Sequence, residues 1–217
     1  MKILIAILTF SLSIACSSVK KETLDELVVT PKKDLTGLDK AYFAMGCFWC
    51  VEAIFESVEG VAEVVSGYAE GKEETAKYEL VGSGRTGHVE AIEIFYDAKV
   101  VDYATLVKVL FASGDPTTLN RQGPDGGYQY RSAIYYQNES EEKIAKDYKA
   151  QLEADKVYDD PIVVDIIPYT TFFDAEAYHQ DFEKRNPNQG YVRAVSVPRL
   201  KRFQAKHPEL LKKGHKG

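Results

Sequence analysis

The chain has 217 residues and a formal net charge of −6, with 33 aspartates and glutamates against 27 lysines and arginines. An acidic body argues against a nucleic-acid partner, whose phosphates demand a basic surface. Only three cysteines are present, too few for a tetrathiolate metal site.

The first segment reads as an export signal. Lys2 precedes an uncharged stretch from Ile3 to Ala15, ending in Leu12-Ser13-Ile14-Ala15-Cys16. At about 1.5 Å per helical residue that stretch is short for a hydrocarbon core of about 30 Å. A small residue directly before a cysteine resembles a bacterial lipoprotein cleavage site, although Leu12 stands one position earlier than such sites place it. Cys16 would then carry lipid at the new N-terminus. The expectation is an exported, membrane-anchored lipoprotein facing the periplasm or cell exterior, held to the membrane through that lipid.

Residues 17–38 are polar and mixed in charge, with a break at Pro31, and read as a flexible tether. Residues 39–206 suit one compact domain with its own core. From Arg199 to Gly217 seven Lys or Arg face only Glu209. That stretch reads as a solvated, partly disordered end, with 207–217 a basic tail.

Within the domain the apolar periods alternate. Ala41 to Met45 forms a short strand, and Val51, Ile54, Phe55 and Val58 follow at helical spacing. Val61 to Tyr68 and Val89 to Tyr96 read as strands, while Tyr103 to Ala112 and Glu139 to Ala154 read as helices. Arg131 to Tyr136 and Ile162 to Ile167 are strand-like runs rich in β-branched and aromatic residues. Asp174 to Arg185 reads as a helix that stops before Asn186-Pro187. The expected class is α+β, a two-layer sandwich with a central mixed sheet, packed helices and a ferredoxin-like core.

Chemistry concentrates in Cys47-Phe48-Trp49-Cys50, after Gly46 at the junction of strand and helix. Unpaired N–H groups and the helix dipole favour a thiolate at the helix entrance, so Cys47 is expected to have a lowered pKa. Cys50, one turn inward, is expected to be less favoured as an anion. The i, i+3 spacing lets the pair form a disulfide after modest adjustment. A structural disulfide or half of a zinc site competes with this reading. None of His88, His179, His207 and His215 shows finger-like spacing for zinc.

Gly46-Cys47-Phe48-Trp49 resembles the active-site signature of the methionine sulfoxide reductase A family. Thr86-Gly87-His88-Val89-Glu90-Ala91 resembles a second family segment. The run Asp115 to Gly123, followed by Asp125-Gly126-Gly127-Tyr128-Gln129-Tyr130-Arg131-Ser132, resembles a third. His179-Gln180 through Asn186-Pro187 resembles a fourth. The likeness runs from about Tyr42 to Phe203.

The resemblance implies thiol-dependent reduction of methionine-S-sulfoxide, protein-bound or free, without a cofactor or metal. Cys47 would attack the sulfoxide sulfur and become a sulfenic acid. Cys50 would condense with it to a disulfide, which a thioredoxin-like donor would reduce. Glu90 occupies the proton-donor position. Its strand parity with Ile92 and Ile94 independently turns it toward an apolar side that would keep it protonated. A glutamate at an exposed strand end is the competing reading. Tyr78 and Tyr130 match tyrosines that bind the sulfoxide oxygen, and Asp125 matches an aspartate that orients the site, where an ordinary Asp-Gly-Gly turn would otherwise be read. Phe48 and Trp49 would cup the S-methyl group, and His88 is expected to be structural.

The chain also departs from the pattern. Many members carry Gly or Ser after the Trp and recycle through cysteines near the C-terminus, whereas this tail has none, leaving Cys50 as resolving thiol. Phe182 stands where some members have tyrosine, and Tyr191 is expected to compensate in binding substrate. The alternatives are a general thiol–disulfide oxidoreductase, which would leave Glu90 without a role, and a noncatalytic surface lipoprotein whose cysteines only staple the fold.

Overall fold

The computed structural model describes residues 33–214; Cys16, the signal and most of the tether lie outside the described residues. Eight strands and six α-helices follow in order: β1 (Asp39–Met45), α1 (Phe48–Glu56), β2 (Val61–Glu70), α2 (Tyr78–Val81), β3 (His88–Tyr96), α3 (Tyr103–Ser113), β4 (Arg121–Gln122), β5 (Asp125–Gly126), β6 (Ser132–Tyr136), α4 (Glu139–Ala154), β7 (Asp165–Pro168), β8 (Phe172–Asp174), α5 (Phe182–Arg185) and α6 (Val197–Lys206).

Six strands form one mixed sheet in the order β7-β6-β1-β3-β2-β8, and β4 pairs with β5. Only β6 and β7 run parallel; the other pairings of the large sheet are antiparallel. The fold is α+β, with helices packed on a mixed sheet.

Strand parity decides what each face holds. Ala41, Phe43 and Met45 of β1 and Ile92 and Ile94 of β3 join the main core with Val51, Ile54 and Phe55 of α1 and Leu106 and Leu110 of α3. The intervening Tyr42, Ala44, Val89 and Ala91 face the other side, where Tyr128, Tyr169 and Phe172 pack on them. Central strands buried on both faces read as near-continuous apolar runs, which is why β1 and β3 stood out in the sequence. Asp102 and Asn138 cap α3 and α4 by accepting from Thr105 and Glu141 N–H.

Three expected segments differ. Asp174 to Arg185 is not one helix: Asp174 ends β8, Ala177–His179 is a single 3₁₀ turn, and Asp181 is left-handed at φ 52° before the short α5. Side chains here satisfy backbone groups outside any helix. Gln180 Oε1 accepts from Ser66 N–H at 2.8 Å while its Nε2 donates to the Ser66 and Ala175 carbonyls. Of Ile162 to Ile167, only the part from Asp165 is strand, because Val163 N–H donates to the Pro116 carbonyl instead.

The third is the basic C-terminal stretch. It is not a solvated end from Arg199 onward: α6 buries Arg199 and Phe203, and beyond it Lys212 N–H donates to the Ser57 carbonyl. An amphipathic helix with a cationic outer face carries many charges without being a tail.

Candidate active site

The site begins at the turn from β1 into α1. Gly46 sits at φ +72°, and a Cβ there would lie 2.3 Å from Gln122 Cβ, so the turn requires glycine. Cys47 is the N-cap of α1 but its side chain makes no capping bond, leaving the sulfur free for chemistry. One helix N–H otherwise lacking a partner, that of Phe48, donates to Glu90 Oε2 at 3.2 Å.

Glu90 is 1% exposed. Burial pushes its pKa up to about 8, with Asp125 and Cys50 adding to the rise and the Phe48 N–H only partly opposing it. The carboxyl is therefore mainly protonated at neutral pH and can donate a proton. The parity with Ile92 and Ile94 places it on the helix-covered face, not at an exposed strand end.

Both thiols are free and buried. The expected order of acidity is reversed. Burial, the hydrogen bond with Cys50 and the nearby Glu90 raise the Cys47 pKa well above that of an ordinary thiol. Cys50 is lowered to about 6, first by the hydrogen bond from Cys47, then by the charge of Arg199 and the hydrogen bond from Ser196. The helix entrance favours an anion, but desolvation of a sulfur enclosed by aromatic rings outweighs it.

A cavity of about 250 Å³ is lined by Cys47, Phe48, Trp49, Tyr78, Glu90, Asp125, Tyr130, Gln189 and Tyr191. Cys47 lines it; Cys50 does not. Every site residue expected from sequence within the described part is thus on the cavity wall or, for Cys50, directly behind it. Tyr78 opens α2 with its N–H bonded to Glu176 at 3.0 Å, and Tyr130 closes a 3₁₀ turn, Tyr128–Tyr130. Burial pushes the Tyr78 hydroxyl up to about 12 and Tyr130 upward as well, so both remain neutral donors. Asp125 lies in the β4–β5 hairpin and accepts the Tyr191 hydroxyl at 2.5 Å. The Tyr191 proton is committed there and is not available to compensate for the hydroxyl that Phe182 lacks.

Trp49 is fixed from three sides. Its ring stacks on Phe182 with centroids 3.7 Å apart and planes 8° apart, meets the edge of Tyr191, and its Nε1–H donates to His179 Nδ1 at 3.1 Å. An accepting Nδ1 places the ring proton on Nε2, and burial lowers the His179 pKa to about 4, so this histidine is neutral. His88 lies away from the cavity wall, its Nε2 near the Thr75 hydroxyl and the Lys72 carbonyl.

His179, Gln189, Ser196 and Arg199 were not assigned from sequence. His179 carried a signal in the fourth signature segment. Ser196 and Arg199 carried none, and Arg199 stood in a stretch that read as a solvated basic end.

A buried dithiol whose first sulfur shares a cavity with an un-ionised carboxylic acid is the equipment of a thiol-dependent oxidoreductase that protonates its substrate as it attacks. Comparison with known proteins narrows this. Residues 39–211 match the family model for peptide methionine sulfoxide reductase. The enzyme of that name, MsrA, from Polynucleobacter asymbioticus is 44% identical over 179 residues, 82% of this chain and 94% of that one. MsrA 1 of Rhodopirellula baltica is 47% identical over 180 residues, 83% and 93% of the respective chains. The structure of Mxr1 from Saccharomyces cerevisiae in reduced form superposes with a TM-score of 0.63 at 30% identity, covering 70% of this chain and 87% of that one.

The chain belongs to the peptide methionine sulfoxide reductase family. Its activity is the thiol-dependent reduction of methionine sulfoxide.

Proposed function

We propose that the cavity takes the side chain of methionine-S-sulfoxide, free or within a protein, with the sulfoxide sulfur toward Cys47. The observation that carries this is that Cys47 and the neutral Glu90 share one cavity walled by Phe48 and Trp49. Its apolar wall suits an S-methyl group, and the Tyr78 and Tyr130 hydroxyls suit the sulfoxide oxygen. Asp125 holds Tyr191, whose ring closes the wall against Trp49.

In the first step Cys47 attacks the sulfoxide sulfur, Glu90 gives its proton to the oxygen and takes up the one the Cys47 thiol loses, and oxygen transfers to Cys47. Methionine leaves, reduced by two electrons, and Cys47 becomes a sulfenic acid. Cys50 then displaces hydroxide from that sulfur to give the Cys47–Cys50 disulfide and, after protonation, water. A thioredoxin-like dithiol restores both thiols and is itself oxidised.

The test is to mix the reduced protein with each separated epimer of methionine sulfoxide and follow methionine together with thiol loss. One methionine from the S epimer per two thiols lost is the expected result. Release from neither epimer would exclude this use of the site.

The same reading extends to organisation. The order of β1, α1, β2, β3, α3 and β6, with β6-β1-β3-β2 adjacent and antiparallel, supports a two-layer sandwich with a ferredoxin-like core. The N-terminal sequence supports division into a signal ending at a lipidated Cys16, a tether over 17–38, the catalytic domain over 39–206 and a C-terminal segment over 207–217. It also supports export and anchoring to a membrane facing the periplasm or cell exterior, where methionine oxidation is a standing hazard. The mass of the mature N-terminal peptide, with or without acyl chains on Cys16, decides that extension.

A further inference from the structure

The chain from Tyr191 to Arg199 crosses directly behind the dithiol, and its geometry is unusual. Val192–Ser196 is a π-helical segment with Tyr191 as its N-cap, and it runs straight into α6. Residues five apart on an α-helix lie about 140° apart around the axis. A π-turn, whose hydrogen bonds run from i to i+5, brings them back to one side. As a result both Tyr191 and Ser196 reach the same atom: Cys50 Sγ lies 3.7 Å from the Tyr191 hydroxyl and 3.0 Å from Ser196 Oγ.

The two hydroxyls are not equivalent. Tyr191 has one O–H and gives it to Asp125, so toward Cys50 it can only accept. Ser196 is fully buried, and its O–H is free to donate to a thiolate. Arg199, one turn on, is 7% exposed; its guanidinium donates to the Met45 and Ser113 carbonyls. No carboxylate pairs with it within salt-bridge distance among the described residues. A buried cation without a carboxylate partner is costly unless some other anion balances it.

We infer that the π-turn and the first turn of α6 form a thiolate seat for Cys50, in which the Ser196 hydroxyl and the Arg199 charge hold the resolving sulfur as an anion while it attacks Cys47. This rests on the reading of Cys50 as resolving thiol and adds the residues that activate it. Ser196 touches the reacting sulfur; Arg199 is a positioning residue that acts through its charge. The step balances: Cys50 sulfur displaces hydroxide from the Cys47 sulfenic acid, one S–S bond forms, one S–O bond breaks, and the hydroxide takes up a proton as water.

The charges around Cys50 agree with this assignment. The lowered thiol already noted feels Arg199 and Ser196 after Cys47. The acidic groups facing it, Glu90 and Glu183, are pushed up to about 8 and about 7 by burial, so they oppose the anion little below pH 7. Once Cys47 has become a sulfenic acid its own hydrogen bond to Cys50 changes, and Ser196 and Arg199 are then the fixed partners that remain.

The experiment is a rapid-mixing single turnover of the reduced full chain with methionine-S-sulfoxide. Methionine is measured at each quench time, the sulfenic acid is trapped with dimedone, and the disulfide is read by mass. Ser196→Ala is expected to release the first methionine at the wild-type rate, yet form disulfide about tenfold more slowly at pH 7. The rate of its second step should still be climbing at pH 8, where the wild type has levelled. Ser196→Thr, which keeps the hydroxyl, should restore the wild-type profile. Arg199→Gln should resemble Ser196→Ala, with Arg199→Lys between it and wild type; if Arg199→Gln does not fold, the serine pair decides alone. Wild-type disulfide formation and pH dependence in Ser196→Ala would overturn the inference, as would slowing confined to methionine release. Absence of methionine release by the wild type would instead reject the reductase reading of the cavity.

Discussion

The Phe48 N–H donates to Glu90 Oε2 at 3.2 Å, which ties the proton-bearing carboxyl to the first turn of the helix that carries the dithiol. The donor on β3 and the nucleophile at the start of α1 are therefore held together by one hydrogen bond.

Glu90→Gln preserves the shape and a hydrogen-bond donor but cannot transfer a proton. Methionine release in a single turnover should fall about 100-fold or more. With the Glu90 pKa raised to about 8, the competent form is the acid, so the wild-type first step should lose this contribution as pH rises through 8. The variant should not show that loss. An equal decline in both proteins would assign the titration to another group.

Trp49 lies flat on Phe182, so Phe182 acts on the substrate wall from behind. Aromatic pairs of this kind contribute about 0.5–1.5 kcal/mol beyond area burial. Phe182→Ala should therefore raise KM for methionine sulfoxide several-fold while leaving kcat within about twofold, since neither sulfur nor Glu90 loses a contact. A collapse of kcat with unchanged KM would mean that Trp49 shapes the transition state instead of the bound substrate.

The dithiol separates the two half-reactions. Cys47→Ser should abolish methionine release. Cys50→Ser should release one methionine per chain, leave a trappable sulfenic acid, and fail to turn over with a dithiol protein such as thioredoxin. Full multiple turnover of Cys50→Ser with thioredoxin would remove Cys50 from the resolving role.

How far the sequence reached follows from which forces dominate locally. β1 and β3 were legible because both faces are buried, and α4 was found over Glu139–Ala154 because its caps and period agree. The stretch around Gln180 and Asp181 was not, because the Gln180 side chain binds the Ser66 backbone on β2 while Glu52 accepts the Asp181 N–H, and no local pattern encodes such partners. The cysteine pair could be placed at a helix start, but the acidity of its members depends on the enclosing rings and on Arg199. Both arise from residues distant in the chain. Arg199 was read as part of a charged tail because composition counts charges without saying which one turns inward.

Glu52 gives a test that separates buried acidity from catalysis. It lies outside the cavity wall, 2% exposed on α1, and its carboxyl accepts from the Asp181 N–H at 2.9 Å and the Ser66 hydroxyl at 3.1 Å. Burial nevertheless raises its pKa to about 8, whereas in the unfolded chain it titrates near about 4.3. A folded pKa above the unfolded one means that the stabilisation is complete below about pH 4.3 and is lost as pH rises toward 8. Cys50, lowered to about 6, works in the opposite direction between pH 6 and 8.5, so the wild-type curve alone does not isolate the glutamate. The difference between wild type and Glu52→Gln does, because the amide keeps an acceptor for Asp181 and never ionises. Between pH 5.5 and 8.5 the variant should gain on the wild type by roughly 5–10 °C in Tm. A constant difference across that range would show that Glu52 ionises as easily in the fold as outside it, and that its two hydrogen bonds outweigh its burial.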